Sequence, residues 1–297
     1  MSEKPSTIKV PDATALLVSG SPAGVSAPLL HWLAARSDFV LAVDSGAEQL
    51  AAAGILPDLL LGDLDSLSEK TFEYLKTKGV PLECFDMDKD ATDLELGIEA
   101  LSLRGYRRLI ATNVSGGRTD HLLGSLGALA SAAHDKGMQV AYFDEHEACY
   151  FVSSNATGFG FEQVLELSFG FGQTQESGSS LGQTQESGSG PGQAQEPGLS
   201  LGRAAELDYA TRLPRYLSLI AWGGPVTVSL QGTKWPLSHY ELTPNSALGV
   251  SNTLNSPVSQ HELTSNSARG ASNTSNSPVI QLEVHEGDGT ALLLLSY

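Results

Sequence analysis

The chain has 297 residues, of which 41% are apolar, so it is long enough for one large domain or two ordinary ones with a substantial core. Asp and Glu number 34 against 17 Lys and Arg, which gives a formal net charge of -17. So acidic a chain is repelled by phosphate backbones and anionic lipid surfaces, which argues against general nucleic-acid or membrane binding.

The chain contains two cysteines, Cys84 and Cys149. This low number is typical of a protein from a reducing compartment rather than of a disulfide scaffold. The first ten residues lack the apolar centre of a signal peptide, and no apolar run reaches the roughly 18 residues of a membrane helix. We therefore expect a cytoplasmic protein.

Up to about residue 150, short apolar runs that end in Gly or Asp alternate with longer stretches of helical spacing. The apolar runs predict strands at 13–20, 39–44, 58–63, 81–85, 108–114 and 139–143. The longer stretches predict helices at 27–36, 47–53, 69–78, 92–104 and 120–136. This order is that of a parallel, Rossmann-like α/β sheet, which we assign to residues 1–150.

In residues 151–297 the helical spacing disappears, and β-branched or aromatic runs separated by Gly, Pro, Asn and Ser take its place. These runs predict strands at 215–221, 225–230, 279–285 and 290–296. The second half is therefore predicted to be an all-β domain, either a β-sandwich or a partly closed barrel.

Two internal repeats interrupt this β half. A decapeptide array at 172–201 is dominated by Gly, Gln, Ser and Glu, which bury too little apolar surface to offset the entropy of ordering, so we expect a disordered insertion. A duplication over 240–279 repeats ELTPNSALGVSNTLNSPV as ELTSNSARGASNTSNSPV. The first copy retains apolar Leu248, Val250 and Leu254, and we expect it to be the structural one.

Six aspartates fall at or just after the predicted C-terminal ends of strands: Asp44, Asp63, Asp65, Asp90, Asp93 and Asp120. That edge of an open α/β sheet is where ligands bind. In Gly-Asp-Leu-Asp-Ser, the carboxylates of Asp63 and Asp65 project to the same side of an extended chain and repel unless a cation lies between them. The pair favours Mg²⁺ with nucleotide phosphates. The alternative is a helix cap plus a solvated turn residue.

A second acidic segment, Asp-Lys-Asp-Ala-Thr-Asp, directly precedes an amphipathic helix. A helix cap at Thr92 and a first-turn acid at Asp93 account for these two residues. Capping does not account for Asp88 and Asp90 crowded around Lys89, which favours a metal and a polyphosphate at this corner.

A third segment, Ser-Gly-Gly-Arg-Thr-Asp-His, joins a predicted strand to a helix. Gly116 and Gly117 let backbone N–H groups approach an anion closely, and Arg118 offers a forked donor to a phosphate. The alternative is a tight turn capped by Asp120, with His121 on the surface. His121 is a secondary candidate for a general base. The chain contains no GxxxxGK[ST] loop, and no GxGxxG follows its first predicted strand.

Taken together and in order, these segments resemble the thiamine pyrophosphokinase family. The matching stretches are AVDSGAEQLAAAGILPDLLLGDLDSL, DKDATDLELGIEAL and SGGRTDHLLGSLGAL, which cover most of residues 40–130. In the β half, YLSLIAWGGPVTVSLQGTKWPL and LGVSN resemble the family's C-terminal domain with its Gly-x-Lys-Trp and Ser-Asn signatures. The decapeptide array departs from the family pattern, and the duplication makes Ser272-Asn273 a rival to Ser251-Asn252.

The resemblance implies specific roles. Asp63, Asp65 and Asp93 would bind Mg²⁺, with Asp90 and Thr92 in the same pocket. The other residues on the ATP and substrate side would be Asp44, Gly46, Gly116, Gly117, Arg118 and Asp120. Trp235, Ser251 and Asn252 would belong to a thiamine pocket completed across a homodimer, where an aromatic wall suits a flat cationic heterocycle.

The implied reaction is attack of the thiamine hydroxyl on the β-phosphorus of ATP, with AMP leaving and with Asp90 or Asp93 as proton acceptor. Two alternatives remain open. One is another Mg²⁺-dependent phosphotransferase or phosphohydrolase, such as a haloacid-dehalogenase-type enzyme. In those enzymes the Asp-x-Asp pair usually follows the first strand, whereas Asp63 and Asp65 follow the third predicted strand. The other is an inactive binding protein whose repeats recruit a partner.

Overall fold

A computed structural model describes residues 13–62, 67–84, 91–154, 163–168, 213–246, 249–255 and 279–297. Asp63, Asp65 and Asp90 lie outside the described residues, as do the decapeptide array and nearly all of the second repeat copy. The predictions that concern these segments therefore stay predictions.

The described residues form two sheets and five helices. The larger sheet consists of β1 (Thr14–Val18), β2 (Phe39–Val43), β3 (Leu59–Leu61), β4 (Leu82–Glu83), β5 (Arg108–Thr112), β6 (Gln139–Phe143), β7 (Glu147–Ser153), β9 (Tyr216–Trp222) and β13 (Thr290–Ser296). The smaller sheet consists of β8 (Gln163–Ser168), β10 (Val226–Gln231), β11 (Leu237–Leu242) and β12 (Val279–Gly287). The helices are α1 (Ala27–Ala34), α2 (Gly46–Ala52), α3 (Glu69–Thr77), α4 (Asp93–Leu103) and α5 (Thr119–His134).

Strands β1 to β6 are parallel, which confirms the predicted parallel α/β sheet. The larger sheet has the order β4-β3-β2-β1-β5-β6-β7-β13-β9. Strands β1 to β4 follow one another from the middle of the sheet to one edge, and β5 then pairs with the other side of β1. The strand order therefore reverses between β1 and β5. This reversal is the topological switch point where open α/β sheets bind ligands.

The reversal also sets which face each helix covers, because parallel crossovers are right-handed. Helices α1, α2 and α3 pack on one face, where Leu29 and Leu50 share a buried cluster with Leu16. Helices α4 and α5 pack on the other face, where Ile98 shares a cluster with Leu17. Successive residues of a strand point to opposite faces, so Leu16 and Leu17 of one buried strand contribute to two separate cores.

The larger sheet continues through residue 150, because β7, β13 and β9 extend it with antiparallel pairing. The smaller sheet is antiparallel and packs on this extension, where Val228 and Leu282 share a cluster with Leu219 and Leu293. This packing is the expected β-sandwich. The partly closed barrel is not formed, because the described strands make two open sheets.

Strands β7, β8 and β11 are not among the predicted elements. Strand β7 begins only four residues after β6 ends, with no helix between them, and six of its seven residues are buried. It therefore lacks the alternation of a half-buried strand.

Both cysteines are free, with Cys84 exposed and Cys149 buried. Among the described residues, no helix is long and apolar enough to cross a membrane.

Candidate active site

The C-terminal ends of the parallel strands lie on one edge of the larger sheet. Val18 at the end of β1 pairs with Ala42 of β2 and with Thr112 of β5, and Thr112 pairs with Phe143 of β6. The segments that follow these residues therefore emerge side by side. They contain most of the described site candidates on the ATP side.

Asp44 directly follows β2 with a φ of +47°, a left-handed conformation that Asp tolerates better than most residues. Its backbone N–H donates to the carbonyl of Leu61 at 3.0 Å. A Cβ atom at Gly62 would lie 2.0 Å from Asp44 Oδ1, so the glycine leaves the space that the carboxylate occupies. The carboxylate of Asp44 thus lies against Gly62, which follows the last residue of β3 and directly precedes Asp63 in the sequence.

Gly46 is required by a close backbone approach. A Cβ atom at this first residue of α2 would lie 2.1 Å from the carbonyl oxygen of Val18. The hydroxyl of Ser45 donates to the carbonyl of Gly20 at 3.1 Å. The segments after β1 and β2 are therefore fastened together next to Asp44.

Glu48 is a residue of this region that the sequence reasoning missed. Its carboxylate accepts hydrogen bonds from the backbone N–H of Ser68 and the hydroxyl of Thr71, both at 2.6 Å. Burial alone would raise the pKa of Glu48, but the hydrogen bonds from Ser68 and Thr71 outweigh burial, and the pKa is lowered. Glu48 thereby anchors the start of α3, which follows the Asp63 and Asp65 segment.

Thr92 and Asp93 begin α4. The hydroxyl of Thr92 accepts the N–H of Glu95 at 3.3 Å, while the Glu95 carboxylate accepts the N–H of Thr92 at 2.7 Å. This reciprocal pair is a capping box, so the capping interpretation describes Thr92 in this structure. Asp93 is the first helical residue and is exposed, so its carboxylate is available to a ligand.

The two glycines of the third segment have φ values of +101° and +83°. A Cβ atom at Gly116 would lie 2.2 Å from the Cβ of Ala23, and one at Gly117 would lie 3.0 Å from Cγ of Pro22. Both the conformation and the packing therefore require glycine. The segment after β5 packs against the segment after β1, at the switch point of the sheet.

Arg118 and Asp120 form a forked ion pair at the start of α5. Arg118 Nε donates to Asp120 Oδ1 at 3.1 Å, and a terminal guanidinium nitrogen donates to the other carboxylate oxygen. This hydrogen bonding lowers the pKa of the Asp120 carboxyl and raises the pKa of Arg118. Both side chains are largely exposed, as is His121. Within the described part of the chain, the side chain of Arg118, the N-cap residue of α5, makes no capping hydrogen bond.

Asp144 is a second residue that the sequence reasoning missed. It directly follows β6, just as Asp44 directly follows β2, and this equivalent position was the available signal. Its carboxylate accepts hydrogen bonds from the hydroxyls of Ser115 and Tyr142 and from the backbone N–H groups of His146 and Glu147. Burial first, and then the hydrogen bond to Asp144, raise the pKa of Tyr142.

The Trp235 loop, residues 232–236, joins β10 to β11. The Trp235 ring is 54% exposed, with Lys234 Nζ 4.6 Å from its centroid. Asn252 is 7% exposed, and its amide nitrogen donates to the hydroxyl of Thr233 and the carbonyl of Trp235 at 3.1 and 2.8 Å. Its amide oxygen accepts the N–H groups of Trp235 and Thr253 at 3.2 and 2.9 Å. The side chain of Asn252 is therefore fully used in holding the loop.

Ser251, by contrast, is exposed and has a φ of +63°. Its backbone N–H donates to the hydroxyl of Ser218 at 3.2 Å. Asn252 pairs with Leu217 near the start of β9. Ser251 and Asn252 thus lie on the side of β9 that faces away from β13, where Asn252 and Gly249 hydrogen-bond the backbone of β9.

The Trp235 loop belongs to the smaller sheet, but Asn252 holds it beside the same edge of the larger sheet at which Asp44 lies, across the width of that sheet. The row of paired residues that contains Phe143 continues through Ala148 and Leu295 to Leu217. Six strand intervals separate β2 from β9. At about 4.8 Å per interval, this separation is roughly 29 Å. The structure therefore brings Asp44, Asp93 and the 115–120 segment to one part of the edge and leaves Trp235, Ser251 and Asn252 at another.

The described residues contain no group of three or more His, Cys, Asp or Glu side chains positioned to bind a metal. Asp63, Asp65 and Asp90 lie outside them. Among the described carboxylates, Asp44 lies against Gly62, the residue before Asp63, and Asp93 follows Asp90 by three positions in the sequence.

Two family models match the chain. The thiamin pyrophosphokinase catalytic domain matches residues 30–142, and the thiamin pyrophosphokinase vitamin B1 binding domain matches residues 206–269. Together they cover more than half of the 297 residues. Thiamine pyrophosphokinase from Bacillus subtilis is 32% identical over 89 residues, which span 30% of this chain and 42% of that relative.

The fold is similar to those of solved thiamin pyrophosphokinases. The Bacillus subtilis structure has a TM-score of 0.62 at 18% identity, covering 95% of this chain and 98% of the other. The yeast structure has a TM-score of 0.61 at 13% identity, covering 98% and 88%. The Candida albicans structure has a TM-score of 0.62 at 12% identity, covering 96% and 90%.

Proposed function

The chain belongs to the thiamin pyrophosphokinase family, and we propose that it transfers the diphosphate group of ATP to the hydroxyl of thiamine, giving thiamine diphosphate and AMP. One observation supports this proposal above all. Asp44, the start of α4 and the glycine-containing segment before α5 converge at the switch point of the sheet. This is where open α/β sheets bind nucleotides.

We assign the ATP phosphates to the segment around Gly116 and Gly117 and to the N-terminus of α5. Both glycines have positive φ values, a conformation that lets backbone N–H groups approach an anion closely. The N-terminus of a helix also favours anions. Arg118 is exposed and presents a forked guanidinium, which binds phosphate in two places at once. Asp120 orients Arg118 until the nucleotide arrives.

The donor chemistry of this corner fits Mg²⁺, because the candidates are all carboxylates and Mg²⁺ prefers hard oxygen ligands. Gly62 supports this fit, since its missing Cβ leaves the Asp44 carboxylate at the strand end that leads to Asp63. Asp63, Asp65 and Asp93 would bind the ion, with Asp90 beside them. When bound, the ion neutralises phosphate charge that the carboxylates alone would repel.

In the reaction, the thiamine hydroxyl oxygen forms a bond to the β-phosphorus of ATP as the bond from that phosphorus to the bridging α-phosphate oxygen breaks. AMP leaves with the electron pair of the broken bond, and the hydroxyl proton passes to Asp90 or Asp93. Reactions of this class depend mainly on positioning and charge stabilisation, which Arg118 and the N–H groups before α5 supply.

We assign thiamine to the Trp235 loop, where the exposed indole offers a stacking surface to a flat cationic ring. Ser251 borders this surface, and Asn252 holds it in place. Asp44 follows β2 and the Trp235 loop lies beside β9, and the separation of roughly 29 Å between these two strands is too large for one substrate pair to span. We therefore propose that a homodimer supplies the two sides of each site. The half-buried Ile220, Trp222 and Leu294 on one face of β9 and β13 suit contact with a second copy.

We further propose that residues 1–150 supply the catalytic and ATP-binding groups and that residues 151–297 supply the thiamine pocket. The two family models match segments on either side of this boundary, which supports the division of roles. Two free cysteines are consistent with a cytoplasmic location, which is part of the same proposal.

The test is to incubate the purified protein with thiamine, ATP and Mg²⁺ and to separate the products by chromatography. We expect thiamine diphosphate and AMP in equal amounts. Thiamine monophosphate with ADP would contradict attack on the β-phosphorus. Absence of any thiamine product, together with a phosphoaspartate at Asp63, would replace the proposal by a haloacid-dehalogenase-type reaction.

A further inference from the structure

Asp144 has a carboxylate in which both oxygens are occupied by donors from three directions. Oδ2 accepts the hydroxyl of Ser115 at 2.7 Å and the hydroxyl of Tyr142. Oδ1 accepts the backbone N–H groups of His146 and Glu147 at 2.9 and 3.0 Å. This carboxylate is fixed by the turn on which it lies, and it accepts one hydrogen bond from the neighbouring segment.

That hydrogen bond reaches Ser115, the residue immediately before the two glycines at the switch point. Ser115 is also held through its carbonyl oxygen, which accepts the hydroxyl of Ser21. Its side chain is thus tied to the segment after β6 and its main chain to the segment after β1. These two contacts fix where the Gly116 backbone begins and in which direction it runs.

The next residue of the turn holds the opposite side of the same crevice. Glu145 Oε1 accepts the backbone N–H of Ser26 at 2.5 Å, at the N-terminus of α1. The turn at 144–147 therefore contacts both segments that border the switch point. Both contacts are made within the chain, between the turn and the segments that border the crevice.

We propose that Asp144 is a positioning residue for the nucleotide phosphates, acting through Ser115 to fix the anion-binding segment 116–118. This inference rests on the proposed function, because it assumes that the segment receives the phosphates of ATP. A carboxylate would repel a phosphate in direct contact, whereas a carboxylate saturated by four donors orients the donors around it. Asp144 therefore positions the anion-binding segment and does not itself contact the phosphates.

The first test is Ser115→Ala, which removes the hydrogen bond to Asp144 and leaves the other three donors to that carboxylate in place. We expect KM for ATP to rise about tenfold while KM for thiamine and kcat change little, the effect of losing one charge-assisted hydrogen bond. Ser115→Thr retains the hydroxyl and should restore most of the ATP affinity. Asp144→Asn should raise KM for ATP similarly, and combining it with Ser115→Ala should add little further.

The matched control is Ser131→Ala. It removes another serine-to-aspartate hydrogen bond, the one that Ser131 donates to Asp135 at 2.6 Å, at the far end of α5 from the 115–118 segment. We expect KM for ATP to be unchanged. An equal rise in KM for ATP in Ser131→Ala, or an unchanged KM in Ser115→Ala, would overturn the positioning role.

Calorimetric titration of Mg²⁺-ATP into each variant without thiamine separates this inference from the proposed function. Wild type that binds ATP but makes no thiamine diphosphate would refute the proposed reaction while leaving Ser115→Ala as a valid test of positioning. Unchanged ATP affinity in a folded Ser115→Ala variant refutes the inference even if the enzyme is active. Ser115 is half-buried and its change to alanine is small, so we expect the Ser115→Ala variant to fold. It therefore tests the proposal even if the Asp144→Asn variant does not fold.

Discussion

The switch-point corner is formed by Asp44, Gly62 and the 115–120 segment. This corner and the Trp235 loop lie beside the same edge of the larger sheet but are built differently. The corner is shaped by close backbone approaches at glycines and by hydrogen bonds between neighbouring segments. The Trp235 loop is held by the buried amide of Asn252, which makes four hydrogen bonds, and by backbone hydrogen bonds from Lys234 to Thr253 and from Asn255 to Gly232. At the corner, the candidate chemical groups and the supporting groups are therefore different residues, whereas at the loop one buried side chain makes most of the side-chain hydrogen bonds.

The difference has a consequence for substitutions. At the corner, the chemical groups of Asp93, Arg118 and Asp120 are exposed, so removing one should spare folding. At the loop, the Trp235 ring is exposed but depends on the buried Asn252. Loss of Asn252 should therefore affect folding and binding together.

The largest expected effect is on activity at the corner. Asp63→Asn should reduce turnover by at least about a hundredfold, because it removes a charge from the proposed Mg²⁺ site, and should leave Tm within about 2 °C of wild type. Steady-state kinetics and thermal unfolding measure the two quantities. Turnover within a few-fold of wild type would remove Asp63 from the metal site.

The next effect tests the loop. Asn252→Ala should lower the free energy of unfolding by about 3 kcal/mol, because it leaves buried donors and acceptors without partners, and should also raise KM for thiamine. Trp235→Ala should change stability by less than about 1 kcal/mol, because the ring is half exposed, yet raise KM for thiamine about tenfold or more.

Urea unfolding and substrate kinetics distinguish these two variants. Equal loss of stability in both would show that the indole, not the amide, supports the loop. An unchanged KM for ATP in Trp235→Ala would place its effect on the thiamine side.

A smaller effect isolates the close approach at the corner. Gly116→Ala should destabilise the protein by about 2 kcal/mol, through a disfavoured positive φ and a collision with Ala23. Gly105→Ala is the matched control, because Gly105 has a φ of +92° with nothing within 4 Å of a Cβ. It should cost about 1 kcal/mol for conformation alone, with no change in KM for ATP.

Both costs are measured by urea unfolding. If the two alanine variants lose the same stability and retain the same KM for ATP, contact between the segments after β1 and β5 does not shape the corner.

The smallest effect concerns the support beneath the corner. Burial, and then the charge of Asp144, raise the pKa of Glu147 above its usual value. Because the folded-state pKa is the higher one, ionised Glu147 costs stability once the pH rises through that pKa, and the cost is absent at low pH. Glu147→Gln should therefore raise Tm by about 2 °C at pH 7.5, with the gain lost near pH 4. A gain at both pH values would assign it to packing.

The sequence predicted the corner better than the loop for a physical reason. Strand periodicity places the ends of parallel strands on one edge, so Asp44 and the Gly116 segment were found from pattern alone. Asp144 has the same position relative to β6, but no glycine lies beside it to indicate an anion-binding segment. Its importance depends on Ser115, 29 positions away, which only the fold brings near.

Asn252 shows the opposite limit. The resemblance placed it in the thiamine pocket as part of a Ser-Asn pair, but a motif does not state which atoms its side chain contacts. In the structure its amide is hydrogen-bonded to Thr233, Trp235 and Thr253.

Strand β7 was missed because a strand buried on both faces lacks alternation, and the domain boundary predicted at residue 150 falls within it.

The most direct measurement mixes two variants that each lack one side of the site, Asp63→Asn and Trp235→Ala, after unfolding and joint refolding, and assays thiamine diphosphate at low thiamine. If two copies supply the two sides, half of the dimers are mixed and one of their two sites is intact, so activity should return to about a quarter of the wild-type value. Activity no higher than that of the separate variants would contradict a site shared between copies and would require both sides to come from one chain.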